Sequence, residues 1–138
     1  MNTDVIVDTG PLVALLNRTD NRHAWIVRQF AEIQPPLITC EAVLAEATYL
    51  TRNVAGARAA LIEMLGDGFL NIGMAVIDHH SALLAMIRRY SNVPMSLADA
   101  CLVRMAEIYP QSLVMTLDRD FTVYRKNARQ VVSLLCPW

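Results

Sequence analysis

The chain is nearly free of lysine: of its 12 basic residues only Lys126 is one, and the rest are arginine. Cysteine is scarce as well, with Cys40, Cys101 and Cys136 odd in number and widely spaced. That spacing excludes a zinc-ligand pattern or a disulfide framework, and a reducing cytoplasm is the expected compartment. Five glycines supply neither G-x-G-x-x-G nor G-x-x-x-x-G-K-[ST], so dinucleotide and P-loop chemistry lack their phosphate cradles. Even the longest charge-free stretches, such as Gly68 to Ile77, fall far short of the ~20 residues needed to span a membrane. The N-terminus Met1-Asn2-Thr3-Asp4 has no basic and no apolar leader region, so no signal peptide is expected. A net charge of −1 gives no bulk argument for nucleic acid.

What is present is a core. With 54% apolar and 18% charged residues the chain is not a disordered one, and 138 residues fit one domain, 1–138. Val5-Ile6-Val7 reads as a strand buried on both faces. Gly10-Pro11 then opens a helix, with proline at its first position. Helices are expected at Ala24 to Ile33, Glu41 to Arg52 (capped by Thr39), Ala55 to Leu65, Asp78 to Tyr90 (capped by Asp78), Ser96 to Ile108 and, briefly, Arg119 to Arg125. Strands are expected at Leu37-Ile38-Thr39, Phe69 to Met74, Leu113 to Leu117 and Val131 to Leu135. Strands alternating with helices mean a parallel sheet of about five strands covered on both faces. In such sheets ligands bind beyond the strands' carboxyl ends, at a topological switch point.

Four acids sit at such joints. Asp8 ends the first strand; with Pro11 at the first helical position the cap falls on Gly10, leaving Asp8 no capping duty. Glu46 flanks the apolar helix face made by Val43, Leu44, Ala47 and Leu50, whereas Glu41 points away and suits the helix dipole. Asp99 stands in the first turn of a helix, within the capping-box pattern Ser96-Leu97-Ala98-Asp99. Asp118 ends the fourth strand, with Asp120 two residues on; both also suit the start of a short helix. Carboxylates converging on one pocket repel each other unless a cation sits between them. The set therefore reads as an oxygen-lined site for a hard divalent metal. His23, His79 and His80 read as packing or surface residues. The cluster Arg119, Arg125, Lys126 and Arg129 follows the last acid; it reads either as a phosphate-binding patch, since arginine's planar fork matches phosphate oxygens, or as a solvated helix face.

Four segments, Val7-Asp8-Thr9-Gly10-Pro11-Leu12, Thr39-Cys40-Glu41-Ala42-Val43-Leu44-Ala45-Glu46, Pro94-Met95-Ser96-Leu97-Ala98-Asp99-Ala100 and Thr116-Leu117-Asp118-Arg119-Asp120-Phe121, resemble the PIN-domain family. The branch they resemble is the VapC-type toxin ribonucleases of bacterial toxin–antitoxin pairs. The resemblance implies a three-layer α/β/α domain and Mg²⁺- or Mn²⁺-dependent cleavage of RNA by activated water. It places the family's acids on Asp8, Glu46, Asp99 and Asp118, with Asp8, Asp99 and Asp118 as metal ligands. It matches Thr116 and Asp120 as auxiliaries and implies an antitoxin partner and a pairing of small domains into homodimers. Ser96 departs from relatives that carry aspartate there, giving up one carboxylate near the site but keeping a helix cap. Two other readings remain: a PIN-like module that binds RNA or protein without cutting, and an aspartic protease, from the tripeptide Asp8-Thr9-Gly10. The protease reading needs paired aspartates on an all-β scaffold, whereas here a helix follows.

Overall fold

The β-branched run Val5-Ile6-Val7 lies at the centre of the molecule. In the computed structural model, which describes residues 3–138, it belongs to strand β1 (Asp4–Val7), and all three side chains are buried. Met1 and Asn2, part of the N-terminus in which no leader is expected, lie outside the described residues. After β1 come α1 (Thr9–Leu16), α2 (His23–Glu32), β2 (Leu37–Thr39), α3 (Glu41–Leu50), α4 (Ala57–Gly66) and β3 (Leu70–Ile72). A 3-10 turn (Val76–His79) leads into α5 (His80–Arg89), α6 (Leu97–Ile108) and β4 (Ser112–Met115). A second 3-10 turn (Arg119–Thr122) precedes the short strands β5 (Arg125–Lys126), β6 (Gln130–Val131) and β7 (Leu134–Leu135).

Five strands form one parallel sheet in the order β3-β2-β1-β4-β7, flanked by helices in the expected three-layer α/β/α arrangement. The order locates the crevice. The chain steps outward from β1 to β2 to β3, then returns to set β4 on the other flank of β1. Because parallel crossovers are right-handed, the helices made on the outward steps and on the return cover opposite faces. The reversal between β1 and β4 is the switch point, and Asp8 and Asp118 follow those two strands. Helix α6 buries Ala98, Ala100, Cys101, Leu102, Val103, Met105 and Ala106, so it is apolar on nearly every side and packs centrally against β1, β4, α3 and α5.

Several local expectations are corrected. Thr39 does not cap α3: its hydroxyl donates to Val7 O (3.0 Å), tying β2 to β1, and Cys40 takes the cap position. Asp78 lies inside a 3-10 turn, and α5 begins only at His80. The helix expected over Arg119 to Arg125 stops at Thr122, because Arg125 and Lys126 leave it to pair antiparallel with Gln130 and Val131. Asn127 and Ala128, both at positive φ (50° and 68°), turn that hairpin. The strand expected over Val131 to Leu135 is therefore divided between the hairpin and the main sheet, with Val132 buried between them.

Beyond β3, Gly73 N donates to Thr39 O (2.8 Å) and Gly73 O accepts from the Tyr109 hydroxyl (2.8 Å). A Cβ at this position would drive into Ile38 Cγ2 and stand 2.9 Å from Met105 Cε. Overpacking of this kind costs about 1–3 kcal/mol. Gly73→Ala is expected to lower the urea midpoint by a corresponding amount with an unchanged m-value; an unshifted midpoint would show that the β2–β3 edge yields freely.

Candidate active site

Strand register assembles the first half of the site. Val7 stands opposite Met115, and Asp8 N donates to Met115 O (3.0 Å), so the next residues, Asp8 and Thr116, are neighbours. Thr116 Oγ1 donates to Asp8 Oδ2 (2.7 Å) and accepts from Asp118 N (2.9 Å). Asp8 Oδ1 accepts from Thr9 N (2.7 Å). Asp8 is therefore the N-cap of α1, and the expectation of a cap at Gly10 is corrected. Pro11 sits at the third helical position, where an N–H would still lack an intrahelical acceptor. Asp118 caps the 3-10 turn that follows it, accepting from Asp120 N (2.9 Å).

The second half comes from two helices. Ser96 and Asp99 form a capping box at the start of α6, with Asp99 N to Ser96 Oγ at 3.0 Å and Ser96 N to Asp99 Oδ2 at 3.4 Å. Glu46 projects from α3 and accepts from Thr9 Oγ1 (3.1 Å). Asp8, Glu46, Asp99 and Asp118 line one open cavity of about 260 Å³, together with Thr9, Gly10, Leu50 and Leu117. Asp8 is buried, Asp99 half-buried, and Glu46 and Asp118 exposed. Leu50, read as core, is 55% exposed because Val43, Leu44 and Ala47 already fill the inner face of α3; it forms part of the cavity wall.

The cavity is electrostatically uncompensated. Burial pushes the Asp8 carboxyl up to about 6, and the nearby Asp99 and Asp118 carboxylates add to the rise. The bonds from Thr116 and Thr9 N oppose it. Asp99 is raised too, by burial and by Asp118, against the stabilising hydroxyl of Tyr124. Among the described residues the only ion pair is Arg104–Glu107 (2.9 Å), within α6 and away from the cavity, so no basic side chain is paired with these acids. No three Asp, Glu, His or Cys side chains among the described residues close on one point tightly enough to hold an ion by themselves. An all-oxygen donor set of this kind fits Mg²⁺ or Mn²⁺, since Mg²⁺ keeps several waters and takes one or two carboxylates plus substrate oxygens.

The other singled-out residues fall outside the cavity. Asp120 does not line it. His23 is a packing residue, its Nδ1 2.6 Å from Ala14 O at the end of α1, and His79 Nδ1 accepts from Arg104 Nε (3.0 Å). Arg125 Nη1 donates to the carbonyls of Thr122, Val123 and Tyr124, so this guanidinium holds its own turn. Arg119 lies over the Trp138 ring, 4.6 Å from its centroid, and is exposed, as is Arg129; Lys126 is half-buried on the hairpin. Asp8-Thr9-Gly10 runs from a parallel strand into a helix, which is not the all-β scaffold of an aspartic protease.

Sequence reasoning missed Thr9, which ties Glu46 to α1, and Tyr124, whose hydroxyl donates to Asp99 Oδ2 (2.9 Å). Their partners lie 37 and 25 residues away, beyond any periodicity or spacing signal.

Comparison with known proteins agrees with this fold. The PIN-domain family model matches residues 5–127, a span that holds all four acids. Ribonuclease VapC26 of Mycobacterium tuberculosis is 28% identical over 120 residues, covering 83% of this chain and 87% of that protein. The crystal structure of Mycobacterium tuberculosis VapC20, a toxin that cleaves the sarcin–ricin loop, has the same fold: the TM-score is 0.76 at 22% identity, over 87% of this chain and 94% of the other. The chain belongs to the PIN-domain family.

Proposed function

We propose that the protein is a Mg²⁺- or Mn²⁺-dependent endoribonuclease, the toxin of a cytoplasmic toxin–antitoxin pair. The observation that carries this reading is the buried Asp8 carboxylate, crowded by Asp99 and Asp118, with no basic side chain among the described residues paired with it. The family and the similarity to a VapC ribonuclease support it. Among the described residues no helix is long and apolar enough to cross a membrane. An antitoxin partner and a homodimer belong to the same proposal.

Asp8, Asp99 and Asp118 would hold the ion, which when bound supplies the charge that neutralises the scissile phosphate and activates the attacking water. Thr116 fixes the Asp8 carboxylate and, through Asp118 N, the chain beside it. Glu46, exposed at the rim and tethered by Thr9, orients the attacking water and takes up its proton. Attack by water breaks the P–O3′ bond and leaves a 5′-phosphate and, once the departing oxygen has taken a proton from solvent, a 3′-hydroxyl. Arg119, Lys126 and Arg129 contact backbone phosphates, which positions RNA without reading its sequence; Arg125, committed to its own turn, contributes stability.

RNA cleavage should require Mg²⁺ or Mn²⁺ and stop in EDTA. Asp8→Asn and Asp99→Asn should each lower the rate by more than ~100-fold, beyond what loss of a ligand's supporting partner costs in metal sites. Their circular dichroism should match wild type. Glu46→Gln should impair turnover and Glu41→Gln leave it nearly unchanged, because Glu41 does not line the cavity. Undiminished cleavage in EDTA or by Asp8→Asn would sink the metal-dependent reading, and the reverse order of the two glutamates would sink the helix-face assignment.

The raised Asp8 carboxyl also has a stability signature. Its folded value of about 6 lies above the ordinary 3.8, so the folded state holds this proton more tightly than the unfolded chain. Its contribution to stability is complete below pH ~3.8 and is lost as pH rises through ~6, by up to about 3 kcal/mol. In EDTA, Asp8→Asn should be more stable than wild type at pH 7.5 and lose that advantage at pH 4, as read from urea midpoints. A difference independent of pH would show that Asp8 is not held protonated by its surroundings.

Neutralising Arg119, Lys126 or Arg129 should weaken binding to every RNA. The log–log salt slope should become shallower by about 0.7 for each phosphate of a single strand that the protein no longer neutralises. The rate at saturating RNA should stay the same, because uniform binding does not raise kcat. Unchanged affinity and slope in the triple alanine variant would mark these residues as a solvated face.

A further inference from the structure

Tyr124 lies in none of the four motifs, yet its hydroxyl reaches the site. The ring is wholly buried, and Tyr90 and Phe121 each meet it edge-on with centroids 5.2 Å away. Tyr124 N donates to Asp120 O (3.3 Å), and the Tyr90 hydroxyl accepts from Arg125 N (2.8 Å), so backbone bonds secure the phenol's position on either side of it. From that fixed position the Tyr124 hydroxyl donates to Asp99 Oδ2 at 2.9 Å, the oxygen that also accepts from Ser96 N. Two donors on different elements thus converge on one carboxylate oxygen, and Oδ1 is the one with no protein donor among the described residues. The segment that carries Tyr124 begins at Asp118, so the stretch that supplies one site acid also clamps another, on α6.

The geometry points to Tyr124 as a positioning residue for the divalent-cation site: its hydroxyl locks the Asp99 carboxylate with Oδ1 free to take the ion. This rests on the metal-dependent function proposed for the cavity. Packing alone has no use for that hydroxyl, since a phenylalanine ring would fill the same space. A group that orients a metal's ligands typically contributes 10–100-fold in metal affinity or activity.

The test is Mn²⁺ binding to the full chain without RNA, followed by the electron paramagnetic resonance of free Mn²⁺. Tyr124→Phe is expected to bind Mn²⁺ about 10-fold more weakly than wild type, near the lower end of that range. Tyr109→Phe, which removes a hydroxyl that donates to Gly73 O outside the cavity, should bind as wild type does. Equal affinity in Tyr124→Phe and wild type, or an equal loss in Tyr109→Phe, would overturn the positioning assignment and leave the metal site standing. No Mn²⁺ binding by wild type would overturn both. A second measurement does not depend on the variant's folding. In wild type labelled with 3-fluorotyrosine, Mg²⁺ should shift the Tyr124 fluorine resonance saturably, assigned by elimination using Tyr49→Phe, Tyr90→Phe and Tyr109→Phe. A Tyr124 resonance unmoved by Mg²⁺ would overturn the proposal.

Discussion

A carboxylate that ends a buried strand needs hydrogen bonds, and Asp8 has them because β1 and β4 pair with Val7 opposite Met115. That register sets Thr116 beside Asp8, and one hydroxyl then serves two acids, donating to Asp8 Oδ2 and accepting from Asp118 N. A slip of one residue would turn Thr116 to the other face of the sheet and leave a buried carboxylate with one donor in place of two. The alignment of the two central strands is therefore also the alignment of the site. What it does not supply is countercharge. Burial and neighbouring carboxylates hold Asp8 at about 6, a cost carried without a paired cation among the described residues.

The capping and functional explanations of these acids do not compete. Asp8 caps α1, Asp99 completes the capping box of α6, and Asp118 caps the 3-10 turn after β4. In a parallel sheet with a switch point, the crevice beyond the strands' carboxyl ends is also where the next helices begin. Backbone N–H groups there favour anions. The fold thus places its carboxylates where free donors partly offset their mutual repulsion. Ser96 belongs to the same logic: it caps α6 and orders Asp99 through the backbone without adding another negative charge to the cavity.

The legible parts of the fold are those with local causes. Val5-Ile6-Val7 and Leu37-Ile38-Thr39 are strands because β-branched, doubly buried runs have few alternatives, and the start of α6 is written in its capping box. The segment from Arg119 to Leu135 misled because its turn carries little signal: Asn127 and Ala128, the latter a residue that seldom takes positive φ, turn a local hairpin where a continuous apolar run reads as one strand. The four acids were legible as chemistry at joints, and their convergence follows from strand order. Thr9 and Tyr124 were not, since a hydroxyl's partner across the fold leaves no trace in spacing. Leu50 shows the converse, a residue on the right side of a helical wheel that ends in a cavity wall because the helix's inner face was already filled.

Burial grades the site from floor to rim. Asp8 is 6% exposed and bonded at both oxygens; Asp99 is half-buried and held by the α6 cap and Tyr124; Glu46 and Asp118 are exposed. Under the metal-dependent reading this gradient divides the labour. Two of the three ligands, Asp8 and Asp99, are restricted by burial and by their donors, and the exposed Asp118 is held by the bond from Asp120 N, as suits a small, rigidly octahedral cation that tolerates little error. Glu46, which must accommodate an incoming RNA strand and its water, lies where its side chain can still adjust. Among the described residues Glu46 is tied to the site by the 3.1 Å bond from Thr9 on α1, whereas Asp8 and Thr116 are set side by side by the pairing of β1 with β4, so the rim acid depends on helix packing and the floor on strand register.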